Sequence, residues 1–247
     1  MADFAGLDPA TFWIAFAALT LGAAVQRLSG QGFGLISAPM VAIVAPEMVP
    51  AALLLLGFLS GLGASALDLS AINIRELSFG FAGRTLGAVI AAYMVTLLPG
   101  GAAIAIAVAC LVLLAVALSL LGISVPIRRA TLFGAGLVAG IMGTLTAIGA
   151  PPMALLYQNE PPRRSRAMQS TFFFLGMIVS IAALAIAGLI SRAHVAFALA
   201  AAPAILLGLI LSQPLSRHIP TEAVRPMALA LSGAAACLLL IKVLVLA

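Results

Sequence analysis

Apolar residues run along this chain in ten stretches, at 10–28, 33–45, 48–67, 77–98, 102–121, 129–148, 150–157, 167–190, 193–211 and 223–246. Polar residues gather in the gaps between them. Eight stretches are long enough to cross a hydrocarbon core of roughly 30 Å as helices rising about 1.5 Å per residue. The stretches at 33–45 and 150–157 are too short to span. Each follows a glycine-rich interruption. The first interruption reads Leu28-Ser29-Gly30-Gln31-Gly32-Phe33-Gly34 and is closed by Pro39. The second reads Gly143-Thr144-Leu145-Thr146-Ala147-Ile148-Gly149 and is closed by Pro151 and Pro152. Irregular backbone is tolerated within a membrane only where protein or a cavity surrounds it. Broken segments at matching places in two halves are the sequence pointer to a substrate site in a secondary transporter.

The halves correspond in order. Leu28-Ser29-Gly30 with Gly32 aligns with Leu145-Thr146-Ala147 with Gly149, and Pro39-Met40 aligns with Pro152-Met153. Further on, Ser70, Gly87 and Pro99 align with Ser191, Gly208 and Pro220. A near-constant offset of this kind indicates a duplicated unit of about five segments.

Arginine placement discriminates between two layouts. If each broken segment runs straight through, Arg75, Arg128, Arg129, Arg192 and Lys242 lie on one side. Arg163, Arg164, Arg166, Arg217 and Arg225 then lie on the other, with no bias. If each interruption is the tip of a hairpin returning to its starting side, all of these share one side except Arg192 and Lys242. Cytoplasmic loops carry an excess of Arg and Lys, so the hairpin layout is expected, with both termini outside the cytoplasm. Each half then makes an odd number of net crossings, and the halves take opposite orientations. The expected fold is an all-α polytopic membrane protein forming one transmembrane domain, 1–247. It comprises two inverted repeats of about five helical segments, repeat 1 about 8–123 and repeat 2 about 127–247. The tips meet near the midplane, and Phe12, Trp13 and Tyr93 fall at the outer interface.

Composition agrees with membrane immersion. The 247 residues are 64% hydrophobic and 8% charged, with a mean hydropathy of +1.26, more apolar surface than a soluble domain of this size buries. The net charge of +5 comes from interhelical Arg clusters, so nucleic acid is not an expected partner. The start, Met1-Ala2-Asp3-Phe4, has no basic n-region or cleavage motif, so no removable signal peptide is expected. Cys110 and Cys237 sit inside apolar runs and read as small buried hydrophobes. His194 and His218 lack ligand-like spacing, so no metal site is expected. No catalytic grouping and no phosphate-loop motif occurs, so neither an enzyme, a cofactor nor ATP-driven transport by this chain alone is expected.

The interruptions carry the candidate chemistry. A helix beginning inside the membrane presents free N–H groups and partial positive charge, which suits an anion. Gly30, Gly32, Gly34 and Gly149 allow close backbone approach, and Pro151 suits a first helical turn. Ser29, Gln31, Ser37, Thr144 and Thr146 add donors. Small residues that merely permit tight helix packing are the alternative reading. Arg27 and Arg84 are the cations the loops do not readily accommodate, and intramembrane charge is costly enough to signal function. Either could contact an anion; Arg27 could instead reach the interface, and Arg84 could pair with a carbonyl or snorkel. Asp68 and Glu76 read as solvated loop charges, with proton coupling as the other reading. Gln169, Ser170 and Thr171 either line a path or are ordinary helix-face residues.

At residues 26–39 and 136–152 the chain resembles the TauE/SafE family of sulfite and organosulfonate exporters. The resemblance extends through Leu86-Gly87 with Pro99 and Gly208 with Pro220. It departs from the second motif, often Gly-x-x-Gly-Gly-Pro in relatives, at Ala147 and Ala150. The resemblance implies a secondary transporter in the bacterial inner membrane that exports a small sulfur-containing oxyanion such as sulfite or a sulfonate. The expected partners are that anion and membrane lipid, with homodimerisation left open. An importer of thiosulfate or a sulfonate, or a non-transporting scaffold subunit, remains an alternative.

Overall fold

A computed structural model of the chain describes residues 7–30, 32–65, 69–97, 101–120, 125–149, 151–218 and 221–246. Gln31, Asp68, Pro99, Ala150 and Pro220 therefore lie outside the described residues. The helices are α1 (Pro9–Ser29), α2 (Phe33–Val44), α3 (Ala51–Ser65), α4 (Ile74–Leu97), α5 (Gly101–Leu120), α6 (Arg129–Thr146), α7 (Pro151–Tyr157), α8 (Pro162–Ile186), α9 (Arg192–His218) and α10 (Thr221–Leu246). Each apolar stretch holds one of them, and no strand occurs among the described residues.

Local signals set the helix ends. Asp8 caps α1 by accepting from the Thr11 N–H at 3.1 Å, with Pro9 in the first turn, as N-terminal preferences dictate. Bonds from the Thr11 side chain and backbone hold the Asp8 carboxyl below its ordinary range. The third stretch departs from expectation. Proline disfavours helical backbone in the residue before it, and Val49 before Pro50 is extended, at φ −100° and ψ 136°. The chain therefore makes a short turn at Pro46–Met48, and α3 has 15 described residues. Among the described residues seven helices, rather than the expected eight, are long and apolar enough to cross a membrane.

The surface is apolar, with Ile186 89% and Val245 74% exposed. An apolar run facing lipid does not imply burial in protein, and Cys110 and Cys237 are both exposed, contrary to expectation. Trp13 and Tyr93 also point outward. Phe12 does not: it is buried edge-on against Phe197 of α9, with ring centroids 6.2 Å apart. Phe12 lies on the side of α1 that packs on α9, whereas Trp13, the next residue, is on the exposed side.

Both interruptions are hairpin turns. Ser37 of α2 donates to the Ala18 carbonyl at 3.4 Å, and Phe33 packs against Gly22. As α2 advances, it thus retraces α1. In the second hairpin Tyr157, Leu156 and Met153 of α7 pack in one cluster with Leu132 of α6, while Gly149 lies against the Ala139 carbonyl.

Polar contacts group the helix ends. At one end Arg164 pairs with Glu76 at 2.7 Å, Arg163 reaches Ser70 at 3.0 Å, and the Arg129 guanidinium lies 5.3 Å from the Phe79 ring centre. The other end joins His194 to the Glu47 carbonyl at 2.9 Å, and Lys242 donates to the Ile43 carbonyl. The starts of α4, α6 and α8 thus share a basic end, whereas α1 and α9 start together at the opposite end, where Phe12 meets Phe197.

Packing partners are exchanged by swapping α1–α5 for α6–α10 in order. α1 packs on α9 as α6 packs on α4, α3 packs on α9 as α8 packs on α4, and α2 packs on α10 as α7 packs on α5. α3 packs on α8 and α5 on α10, each pair meeting its own counterpart.

The α4–α6 seam is built from glycine. Gly80 meets Gly136, Gly83 meets the Phe133 carbonyl, and Gly87 meets Gly140 and the Leu137 carbonyl. The pairing advances in step, so these helices run parallel, and backbones this close leave no space for a Cβ. Replacing Gly83 by Ala is expected to destabilise the purified protein by about 1–3 kcal/mol through overpacking. Gly134→Ala, on the same helix pair but facing open space, should be neutral or slightly stabilising in the same thermal melt.

Candidate functional site

The two hairpin tips touch each other. A side chain at Gly34, in the first turn of α2, would run into the Ala147 carbonyl and the Ile148 backbone of the second tip. Only hydrogen fits there, so the first-tip glycine is explained by close approach of two backbones. Ala147 takes left-handed backbone, φ 60°, and is the one non-glycine residue with positive φ among those described. It occupies the C-cap of α6, where glycine is usual, and its N–H donates to the Gly143 carbonyl at 2.9 Å.

Gln26 closes the first tip. It is 0% exposed, its Nε2 donates to the Gly30 carbonyl at 3.0 Å, and its Oε1 accepts from the Phe33 N–H at 3.3 Å. The first amide of α2 is therefore already engaged. In α7, Pro151 and Pro152 have no N–H, and the helix has seven residues. Backbone amides alone thus offer an anion less than the sequence pattern suggests.

Positive charge comes from Arg84. Its position midway along α4 carries the guanidinium to the second tip, where it is 1% exposed. Gly143, Gly149 and Gly176, from α6, the tip and α8, line the space it fills; a Cβ on any of them would collide with it. The guanidinium donates to the Ala139 carbonyl and, at 3.2 Å, to Ser180 Oγ. Ser180 in turn shares a 2.7 Å hydrogen bond with Thr144. Arg84 Nε has no partner among the described residues, and the Phe172 ring centre lies 6.0 Å from the guanidinium carbon. No acidic residue occurs in α6, α7 or α8, and the one in α4, Glu76, lies in its first turn. Eight residues of helix, about 12 Å at 1.5 Å per residue, separate Glu76 from Arg84. A buried charge held only by neutral groups is a candidate ligand contact.

The other sequence candidates are distributed around this centre. Gln169 of α8 is 5% exposed; its Nε2 donates to Ser165 at 2.8 Å, and its Oε1 has no partner among the described residues. Gln169, Gly176 and Ser180 follow one helical stripe leading to Arg84. Ser170 and Thr171 are also buried, and their hydroxyls have no partner among the described residues. Gly30 lies against the Arg166 backbone. Ser29 and Thr146 turn back on their own helices, donating to the Val25 and Met142 carbonyls at 2.8 and 2.7 Å. Arg27 is half-buried in the last turn of α1, and Gly32, with φ 129°, sits against Val25.

Glu76 is not a solvated loop charge. It accepts from Tyr157 at 2.9 Å and from Asn73 at 3.1 Å beside its pair with Arg164, and Arg164 also holds Glu160 at 2.8 Å. The cluster ties the end of the second hairpin to the starts of α4 and α8. Sequence reading does not single out Gln26, Gly176 and Ser180 as site residues. The available signal was a buried-type polar residue inside an apolar run for Gln26 and Ser180; for Gly176 there was none.

The family described as Sulfite exporter TauE/SafE matches residues 14–239 of the chain. No curated protein and no solved structure matches it.

A double-mutant cycle separates the guanidinium from the rest of the tip. The three atoms nearest to a Cβ at Gly143 all belong to the Arg84 guanidinium. Gly143→Ala is expected to destabilise the protein by about 1–3 kcal/mol. In an Arg84→Ala background the same change should have almost no effect, as measured by thermal melts of the four proteins.

Proposed function

The chain belongs to the TauE/SafE sulfite exporter family, and from that premise we propose that it exports a small sulfur-containing oxyanion, sulfite or a sulfonate, across the bacterial inner membrane. The observation that carries the reading is the Arg84 guanidinium, buried among glycines with no acidic residue nearby. An oxyanion brings the missing negative charge and several acceptors. Charge-assisted bonds of this type are the strong ones. Arg84 Nε and the Thr144 and Ser180 hydroxyls are the donors closest to the place such a group would take. Gly149, Pro151, Gly30, Gly32, Gly34, Ser29, Thr146, Gln169 and Arg27 are proposed as the remaining residues of the site.

The repeats, about 8–123 and 127–247, are proposed to be inverted in the membrane. The exchange of packing partners and the start of α1 and α6 at opposite ends support this. The basic end is proposed to face the cytoplasm, as the charge rule requires, which leaves both termini outside. With the interior negative, the potential favours anion exit by about 2.3 kcal/mol per charge per 100 mV.

Three experiments test the proposal. Proteoliposomes offered labelled sulfite, thiosulfate, sulfoacetate and taurine, under an imposed potential and pH gradient, should carry sulfite or a sulfonate. Absence of flux for all four would leave a scaffold role, and flux of thiosulfate confined to the inward direction would make the protein an importer. Arg84→Met should fold and insert but lose flux at least about tenfold, on the scale of one lost hydrogen bond to a charged group, about 1.5–3 kcal/mol. Cysteines introduced at Glu47 and Asn159 should label from opposite faces of the bilayer; labelling from one face would end the hairpin topology.

A further inference from the structure

We infer that Gln26 is a positioning residue for the second tip, acting through the first; its flux readout alone rests on the transport reading above. The turn between α1 and α2 needs left-handed or otherwise unusual backbone, with φ 78° at Gly30 and 129° at Gly32. Helical bonds satisfy the Gly30 N–H and the Gly32 carbonyl, but not the Gly30 carbonyl or the Phe33 N–H. The Gln26 carboxamide satisfies those two, with its donor on the Gly30 carbonyl and its acceptor on the Phe33 N–H, while the Gln26 carbonyl accepts from the Gly30 N–H at 2.9 Å. One side chain spans the turn and sets the direction in which α2 leaves it. In the next residue, Gly34, the direction matters most, because the backbone there bears on Ala147 and Ile148. The residue after those two, Gly149, touches the Arg84 guanidinium. The line of contact from Gln26 to Arg84 is therefore continuous.

The second hairpin contains a counterpart. Gly143 aligns with Gln26 in the repeat, and the space its missing side chain leaves is filled by the Arg84 guanidinium. Each hairpin crook thus holds one long polar group: a neutral amide bonded within the first tip, and a cation with a spare donor at the second. The first crook is a fixed wall, and the second holds the charge.

Gln26→Glu tests this because the two protonation states differ in one respect. The carboxylic acid keeps both bonds, donating to Gly30 and accepting from Phe33. The carboxylate turns an acceptor toward the Gly30 carbonyl and loses that bond. Hydrogen exchange of the amides at 30–36 and 145–149 is compared with wild type at about pH 8 and about pH 3.5, values above and below the ordinary glutamate value of about 4.3. At the higher pH both segments of the variant should exchange roughly tenfold faster, the scale of one lost buried hydrogen bond. Acid should restore both, and Gln26→Ala should stay fast at either pH. Flux of labelled methanesulfonate, whose single charge does not change over this range, should fall and recover in parallel. Loosening confined to 30–36, or restored exchange without restored flux, would overturn the positioning role. A wild-type protein that carries no methanesulfonate would count against sulfonate transport, and the exchange at 145–149 would still decide the role of Gln26.

Discussion

The Arg84 guanidinium is the costliest group in this bundle, and the second half is arranged around it. Moving a cation from water into a low-dielectric interior costs several kcal/mol even after relaxation. Nearby carboxylates usually offset that cost, and here the helices around the charge contain none within reach. The protein supplies instead a carbonyl, a hydroxyl and an aromatic face, together with three glycines that make space. Such an arrangement is poor as a structural device, since an apolar side chain would fill the space at lower cost. It would suit the reversible anion contact proposed above, in which the ligand supplies the missing negative charge.

The glycines serve two separate purposes. Along α4 and α6 they bring two helix backbones together, as small residues do where no hydrophobic driving force separates helix from lipid. At the tips they let backbone meet backbone and leave room for the guanidinium. Gly83 and Gly87 belong to the first group, Gly143, Gly149 and Gly176 to the second, and Gly34 to the contact between hairpins. The close α4–α6 seam carries Arg84 on one partner and the second hairpin on the other. The charge and its tip are therefore held in register by the tightest packing in the fold.

Polar groups at the helix ends have a different character. Glu76, Arg164, Glu160 and Tyr157 connect helix starts to the end of the second hairpin through partly exposed ion pairs, while His194 and Lys242 meet backbone carbonyls at the end of the first. Exposed pairs of this type contribute little to stability, about 0–1 kcal/mol each. Their placement nevertheless links each hairpin to a helix of the other half, so that a movement of either hairpin must break or re-form them.

Much of the architecture was legible in the order of residues. Ten apolar stretches, two glycine-rich interruptions and the distribution of Arg are enough to arrive at a helical bundle with two hairpins, because the membrane imposes strong constraints on length and charge. The resemblance to an exporter family was likewise carried by short motifs. Other features could not be read this way. Periodicity cannot distinguish a lipid-facing residue from a buried one when both are apolar, so Cys110 and Cys237 were assigned to the interior although both are exposed. Free helix amides were expected at both tips, but Gln26 occupies one donor and Pro151 and Pro152 lack theirs. That the guanidinium of Arg84 lies at the second tip rather than in any other polar setting depends on the α4–α6 seam and on glycines from three elements. These residues are distant in sequence, and only close packing brings them within reach of a single charge.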